Sequence, residues 1–436
     1  MLQEIIFKNF KSYRKAILPL SPLTLLIGAN ASGKSNALEA LRLLSWLAQG
    51  QSLSTIKHQI QDSRQIMRGQ VNDLGYIGNH KFMLGCRIDH ESWKSLEMTL
   101  EIRDDDLHII DESISSSFEK FPLYRIARII EKAPGVRNDV IVTYNNFARG
   151  GKKPTITCID QMAVFVQLES AARFKEGHKK AQHTIPKVVR RFQKPMANIL
   201  FLDTIPSLMR ESGFMSDKTL RGDGKNLSGV LYNLWQKEEN QEIILDFIRS
   251  LPEQDITTLS FYEGRRKDVT LELVESFGGQ KKAWDVTLLS DGTLKVLAIV
   301  AALLSAPEGS IVVIEEVDNG VHPSRAADLL SSMHKQASLR NLRLLLTTHN
   351  PALMDSLRDE SLNDVVFCYR DTECGDSRLI RLADMLEFPA LAARGPLGQL
   401  VTQGVVDRFA KNPTTPDIKK QNALNWIASL RESSLQ

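Results

Sequence analysis

The 436-residue sequence is short of several things, and each shortage excludes a class of protein. No apolar run reaches the ~18 residues that a membrane-spanning helix needs; the longest candidate, Leu294 to Ser305, is too short. The opening MLQEIIFKNF has no basic n-region, long apolar stretch or small-residue cleavage site, so no secretory signal is expected. Cysteine is scarce: Cys86, Cys158, Cys368 and Cys374, with no C-x2-C pair and no nearby histidine to complete a zinc site. Reduced thiols in a cytoplasmic protein are the expectation. Charge of one sign is also lacking. Lys+Arg number 55 and Asp+Glu 52, a net +3, which excludes a histone-like binder working by bulk charge but leaves room for a local basic patch. There is no internal repeat and no heptad run long enough for an extended coiled coil. Histidines are few and scattered, and no Cys/His or Ser/His constellation marks a second catalytic centre.

What is present reads as globular. Apolar residues make up 42% and charged residues 25%, and the length suits two or three domains or one large domain with insertions. Apolar residues at Ile5–Phe7 and Phe10, then Leu23–Ile27, read as strands; Lys34 to Ala48 reads as an amphipathic helix on Leu38, Leu41, Leu44 and Leu47. Residues 72–160 read as short strands between Gly, Asp, Asn and Pro clusters. Residues 161–197 look helical, and Asn198–Leu202 is another strand. One helical stretch follows from Leu227 to Ser250, then strands near Ile256–Tyr262 and Val269–Val274. The last third alternates helix and strand, which predicts an α/β fold with a mostly parallel sheet.

The sharpest motif is Gly28-Ala29-Asn30-Ala31-Ser32-Gly33-Lys34-Ser35, a G-x4-G-K-[ST] match directly after a strand and before a helix. Glycines let the backbone curl so that its N–H groups face phosphates, and the helix N-terminus adds its positive end. The nucleotide-binding candidates are therefore Gly28, Asn30, Ala31, Ser32, Gly33, Lys34, Ser35 and Asn36, with Lys34 reaching the β- and γ-phosphates and Ser35 on Mg²⁺. Ile311–Ile314 is a buried-strand pattern ending in Glu315 and Glu316, where α/β sheets place ligands. Glu315 would hold the Mg²⁺ shell and Glu316 would orient or deprotonate the attacking water. Leu342–Thr348 ends in His349, a candidate γ-phosphate contact. Ser290, Asp291 and Gly292 precede an apolar helix. Ser290 or Asp291 reads as its N-cap, and a capped N-terminus is also an anion site.

In this order and spacing, phosphate loop, LSDGT, IEEVDNGVHP and TTHNP resemble the ATP-binding-cassette class. More narrowly they resemble the AAA_21/AAA_15 group, with OLD-family, RecF and SMC-type heads and the PtuA-type ATPases of bacterial defence systems among its relatives. The opening FKNFKSY…LPLSPLTLLIGANASGKSN carries the same resemblance. It implies Lys34 and Ser35 as the Walker A pair and Ser290 and Gly292 in the signature. It implies Glu315 as the Walker B acid, Glu316 as the catalytic glutamate, Asp318 and Asn319 in the D-loop and His349 as the switch histidine. LSDGT stands in place of the transporter LSGGQ, and no Q-loop glutamine follows a strand; Phe201–Thr204 is the candidate equivalent. The expected division is 1–160, the N-terminal part of the ATPase head with an antiparallel β lobe; 161–250, a helical insertion or lid; 251–410, the C-terminal part of the head; and 411–436, a tail.

The resemblance implies an ATPase working as an ATP-sandwiched homodimer, or a higher oligomer built on it. Such a switch would control a separate effector, a nuclease, in anti-phage defence. Two alternatives stay open: an SMC/RecF-like DNA-repair or chromosome-associated ATPase, and an ATP-binding scaffold without turnover. The nucleic-acid alternative is motivated by residues 171–194, where eight Lys/Arg face one acid, Glu176, with Phe174 and Phe192 among them. A solvated helical face explains the same charges. Arg210 near the nucleotide, and Lys11 and Tyr13 near the adenine, are weaker candidates.

Overall fold

The computed structural model describes residues 1–56, 67–132, 137–249, 255–277, 280–318, 325–357, 359–385 and 388–411. Asn319 and the tail beyond Lys411 lie outside the described residues.

The chain opens with strands β1 (Leu2–Phe10), β2 (Tyr13–Pro19) and β3 (Leu23–Ile27), then helix α1 (Lys34–Ala48). A meander follows: β4 (Lys81–Ile88), β5 (Trp93–Arg103), β6 (Asp106–Ser116), β7 (Tyr124–Ile130), β8 (Asp139–Tyr144) and β9 (Thr155–Ile159). These pair antiparallel in the order β2-β1-β4-β5-β6-β7-β8-β9. Helix α2 (Lys179–Ala197) packs back against α1. Next come β10 (Leu200–Leu202), β11 (Gly213–Phe214), α3 (Leu227–Trp235), α4 (Glu238–Arg249), β12 (Ile256–Glu263), β13 (Asp268–Phe277) and β14 (Gln280–Asp285). The C-terminal part runs α5 (Asp291–Ser305), β15 (Ile311–Ile314), α6 (Ala326–Leu339), β16 (Arg343–Thr347), β17 (Val365–Arg370) and β18 (Ser377–Arg381).

The sheet that carries the motifs has the order β10-β15-β16-β3-β17-β18, parallel but for the final β17–β18 hairpin. Its inner strands β15, β16 and β3 are almost wholly buried because both faces are covered. Leu26, Val313, Leu345 and Val366 pack on the side of α1, α2 and the meander. Their neighbours Leu25, Ile27, Ile314, Leu346 and Phe367 pack on the side of α3 to α6. This alternation is the two-residue period of a strand expressed between two cores.

Three readings change. The predicted single helix Leu227 to Ser250 is two helices, α3 and α4, broken around Gln236 and Lys237. Strands β11, β14 and β18 were not anticipated. The first is two residues long, and the others are polar edge strands, QKKAWD and SRLIR, with little apolar alternation. Finally, Phe174 and Phe192 are core side chains at 4% and 0% exposure. They are not available to a nucleic acid, so that alternative is left with the charges of the segment alone. On α2, Ile185, Val188, Val189, Phe192 and Met196 form one buried stripe at helical spacing.

Candidate functional site

The phosphate loop joins β3 to α1 at the centre of the parallel sheet. Gly28 and Gly33 hold φ of 148° and 121°, which disfavour any side chain. A Cβ at Gly28 would meet the Cys368 carbonyl oxygen at 2.2 Å, and one at Gly33 would meet Ser377 Oγ at 2.4 Å. Neighbours far away in sequence brace the loop from behind. Tyr13 Oη donates to the Gly33 carbonyl at 3.0 Å, and Ser377 Oγ to the Ser32 carbonyl at 2.5 Å. Arg370 Nε donates to the Ala31 carbonyl at 3.2 Å, and Asn36 Nδ2 to Ser12 Oγ at 2.8 Å. These carbonyls point back into the protein, which leaves the loop's N–H face for an anion. Lys34 folds over the loop, donating to the carbonyls of Gly28 at 2.6 Å and Ala29 at 3.0 Å. Burial draws its ammonium pKa down, against the opposing pull of Cys368 and Glu316.

A cavity of about 540 Å³ opens in front of the loop. Asn30, Ala31, Gly33, Lys34, Ser35 and Asn36 line it on one side, and Glu315, Glu316 and His349 on the other. The sequence-predicted loop, acids and histidine are therefore gathered into one place. The register explains this: Ile314 pairs with Leu346, so the ends of β15 and β16 lie side by side, and β3 is the next strand along. His349 Nδ1 stands 4.0 Å from Glu316 Oε1, and both side chains are about half exposed. Glu316 itself sits at φ 47°, an uncommon backbone for a residue with a side chain.

A second cavity of about 610 Å³ adjoins the first and shares Ser35, Arg68 and Glu315. Ser35, Glu39, Arg42 and Trp46 of α1, and Gln49 at its C-terminal end, line it from one face at spacings of three and four. Phe201 and Asp203, at the end of β10, close the far side. Arg42 Nη2 lies 3.1 Å from Glu315 Oε1, with its guanidinium 4.5 Å from the Phe201 ring centroid. Ser35 and Glu315 offer a hydroxyl and a carboxylate at the junction of both cavities, oxygen donors that fit a hard divalent cation.

The LSDGT segment lies elsewhere. Ser290 caps α5, its Oγ accepting from the Thr293 N–H at 3.1 Å. Arg210 Nη2 ties this loop down through the Leu289 carbonyl at 2.8 Å and Asp291 Oδ1 at 2.7 Å. Arg210 thus belongs with LSDGT and not beside the phosphate loop. Ser290, Asp291 and Gly292 line neither cavity. Tyr13 is fully buried against Cys368, which removes it as an adenine contact, whereas Lys11 lines the phosphate-loop cavity and pairs with Glu39. Asp318 is buried and accepts from Thr348 Oγ1 at 2.6 Å. At the β17–β18 turn, Asp371, Cys374 and Asp376 approach one another, but Arg378 pairs with both acids at 3.1 and 3.6 Å and offsets part of their charge.

A glycine-cradled strand-to-helix turn, facing two carboxylates at the end of a strand of the same sheet, is the arrangement of a P-loop nucleotide site. The sequence agrees. Residues 1–121 match the model of the family described as "AAA ATPase domain", and residues 186–355 that of "AAA domain, putative AbiEii toxin, Type IV TA system". Both matched models describe AAA-type ATPase domains, and each covers less than half of the chain. No curated protein matches it.

Among solved structures it is similar to an SMC head bound to the C-winged helix domain of ScpA. That pair shares 14% identity, covering 87% of this chain and 96% of that one, at a TM-score of 0.45. It is also similar to the SMC head domain of Thermotoga maritima, at 12% identity, 87% and 98% coverage and a TM-score of 0.35. An SMC head with an extended coiled coil, bound to the C-terminal domain of ScpA from Pyrococcus furiosus, matches at 10% identity, 90% and 99% coverage and a TM-score of 0.42. Among the described residues no helix is long and apolar enough to cross a membrane.

Proposed function

We propose that the chain binds ATP with Mg²⁺, hydrolyses it, and works as an ATP-sandwiched homodimer that switches a separate effector. One observation carries this reading. Glu316 and His349 face the phosphate-loop cavity, while the exposed Ser290 of LSDGT lies outside it. A second copy can bring its own LSDGT to that cavity, so the site is completed in trans. Exposed Leu288, at 68%, adds an apolar contact beside the same loop.

In this mechanism the loop amides of residues 28–36 and Lys34 hold the phosphates, trading the lysine's bonds to the Gly28 and Ala29 carbonyls for phosphate oxygens. Ser35 and Glu315 hold Mg²⁺, which neutralises charge on the phosphates when bound. Glu316 orients and deprotonates the attacking water, and His349 beside it contacts the γ-phosphate. Ser290, Asp291 and Gly292 of the partner copy close over that phosphate at the N-terminus of α5. The four-part division at residues 160, 250 and 410 remains part of the same proposal.

The test is Glu316→Gln. It should give an ATP-dependent dimer by light scattering with turnover abolished; undiminished hydrolysis would remove Glu316 from the mechanism. The finer role, control of a partner nuclease in bacterial anti-phage defence, rests on the motif resemblance alone. Co-purification of a neighbouring gene product, and its activation or release by ATP, tests it.

A second reading, direct contact with nucleic acid, is favoured by one surface. Arg125, Arg128, Lys152, Lys153 and Lys175 line a trough of about 790 Å³ whose described lining has no carboxylate. The exposed cations Lys179, Lys180, Arg190 and Arg191 of α2 follow it in sequence. Salt-dependent DNA binding, lost when these cations are replaced, would support this reading.

A further inference from the structure

Helix α5 is apolar almost throughout, and Leu294 and Val296 to Leu303 are buried. Between Asp291 at its start and Ser305 at its end it carries a single charged residue, Lys295. An ammonium in such a helix loses hydration and needs a partner. Its partner is a backbone atom: Lys295 Nζ donates to the Glu316 carbonyl at 2.5 Å. Burial pulls its pKa down, and the charges of Asp318, Glu316 and Asp203 oppose that by favouring the ammonium.

Glu316 is the residue at φ 47°. A left-handed backbone crowds a side chain against its own carbonyl, so neighbours must hold it there. Both peptide groups of Glu316 are held. Its N–H donates to Thr347 Oγ1 at 2.9 Å, and its carbonyl accepts from Lys295. The next N–H, of Val317, donates to the Thr347 carbonyl at 3.1 Å. The turn is thus clamped between β16 on one side and α5 on the other.

We propose that Lys295 is a positioning residue which, with Thr347, holds the Glu316 turn so that its carboxylate faces His349 and the phosphate loop. Lys295 lies on the helix whose N-terminus bears Ser290. Any shift of that helix when LSDGT meets a second nucleotide therefore reaches the chain's own Glu316 through one hydrogen bond. This inference rests on the reading of Glu316 as the residue that activates water.

The experiment compares steady-state ATP hydrolysis by the full-length chain and its Lys295→Met, Lys295→Arg, Thr347→Val and Glu316→Gln variants. Met keeps the stem and removes the donor; Arg keeps a donor. A misplaced carboxylate should lower kcat about 10- to 100-fold in Lys295→Met, with KM for ATP and nucleotide affinity unchanged. Arg should restore most of the loss. Thr347→Val should reduce kcat likewise, and the double variant should fall little below the worse single one, because both contacts hold one turn. Unchanged kcat in Lys295→Met, or a loss that tracks weakened nucleotide binding, overturns the inference. Should Lys295→Met fail to fold, Lys295→Arg and Thr347→Val still decide it: full activity in Thr347→Val overturns the clamp. Glu316→Gln separates the two levels. If it is inactive while Lys295→Met is fully active, only the positioning role fails; if it is fully active, the reading of Glu316 fails first.

Discussion

Arg42 stands where a metal ion would have to compete. Its guanidinium lies 3.1 Å from Glu315, and the two side chains are 20% and 36% exposed. The bare attraction at this distance, with an effective dielectric of ~20, is roughly 5 kcal/mol. Solvent reaches both groups, so the net worth of such a pair falls to about 1 kcal/mol. A divalent cation on Glu315 must break that pair and also sit beside a positive charge. Replacing Arg42 by Met keeps the aliphatic stem over Phe201, whose ring lies 4.5 Å from the guanidinium, and removes both obstacles. The expected result is Mg²⁺ binding tighter by roughly three- to tenfold, since 1.4 kcal/mol is a factor of ten. ATP affinity without metal should change little. Electron paramagnetic resonance titration with Mn²⁺, on the nucleotide-bound full-length chain, measures it directly. The gain should shrink as salt rises, because the pair is partly exposed. Equal or weaker metal binding by Arg42→Met would refute the competition argument, and weaker binding would mean that Arg42 orients Glu315 instead.

Two further outcomes are expected. Gly33→Ala forces a methyl to within 2.4 Å of Ser377 Oγ at φ 121°; it should cost about 1–3 kcal/mol and abolish the ATP-induced rise in melting temperature, and a wild-type rise would contradict the loop geometry. Glu112 is fully buried, which pushes its carboxyl up to about 7 against the lowering effect of hydrogen bonds from Tyr124, Val164 and Phe165. A raised pKa means that its stabilising contribution is complete below the unfolded-state value of 4.5 and is lost as pH rises through 7. By chemical denaturation, the stability of wild type relative to Glu112→Gln should therefore fall by about 3 kcal/mol between pH 4.5 and pH 8. A difference that stays flat would show a carboxylate ionised throughout.

The sequence was most legible where chemistry and local structure coincide. Lys34–Ala48 was read with its exact ends because a glycine-rich turn starts it and a leucine stripe runs along it. The β15 acids were found because a fully apolar strand ending in charge is rare outside a ligand site. The braces behind the phosphate loop were not readable: Ser12, Tyr13, Cys368, Arg370 and Ser377 meet it across as many as 345 positions, and no local pattern records such contacts. Arg42 was missed although a signal existed, since Ser35, Glu39 and Arg42 share one helix face. Phe192 was legible as core from the apolar stripe that runs between the charges of α2, whereas Phe174 packs on the distant Tyr144, which no local pattern records.

The order of strands in the central sheet has a consequence for how the protein is made. The phosphate-loop strand Leu23–Ile27 is made long before its two partners, Arg343–Thr347 and Val365–Arg370. Until Arg343–Thr347 has been made, some three hundred residues later, this apolar segment has no sheet to join. A growing chain therefore cannot use ATP to stabilise itself, and the five-residue LTLLI strand waits exposed to aggregation and chaperones. Nucleotide binding competence should arrive abruptly, when β16 and β17 close on a strand made long before them.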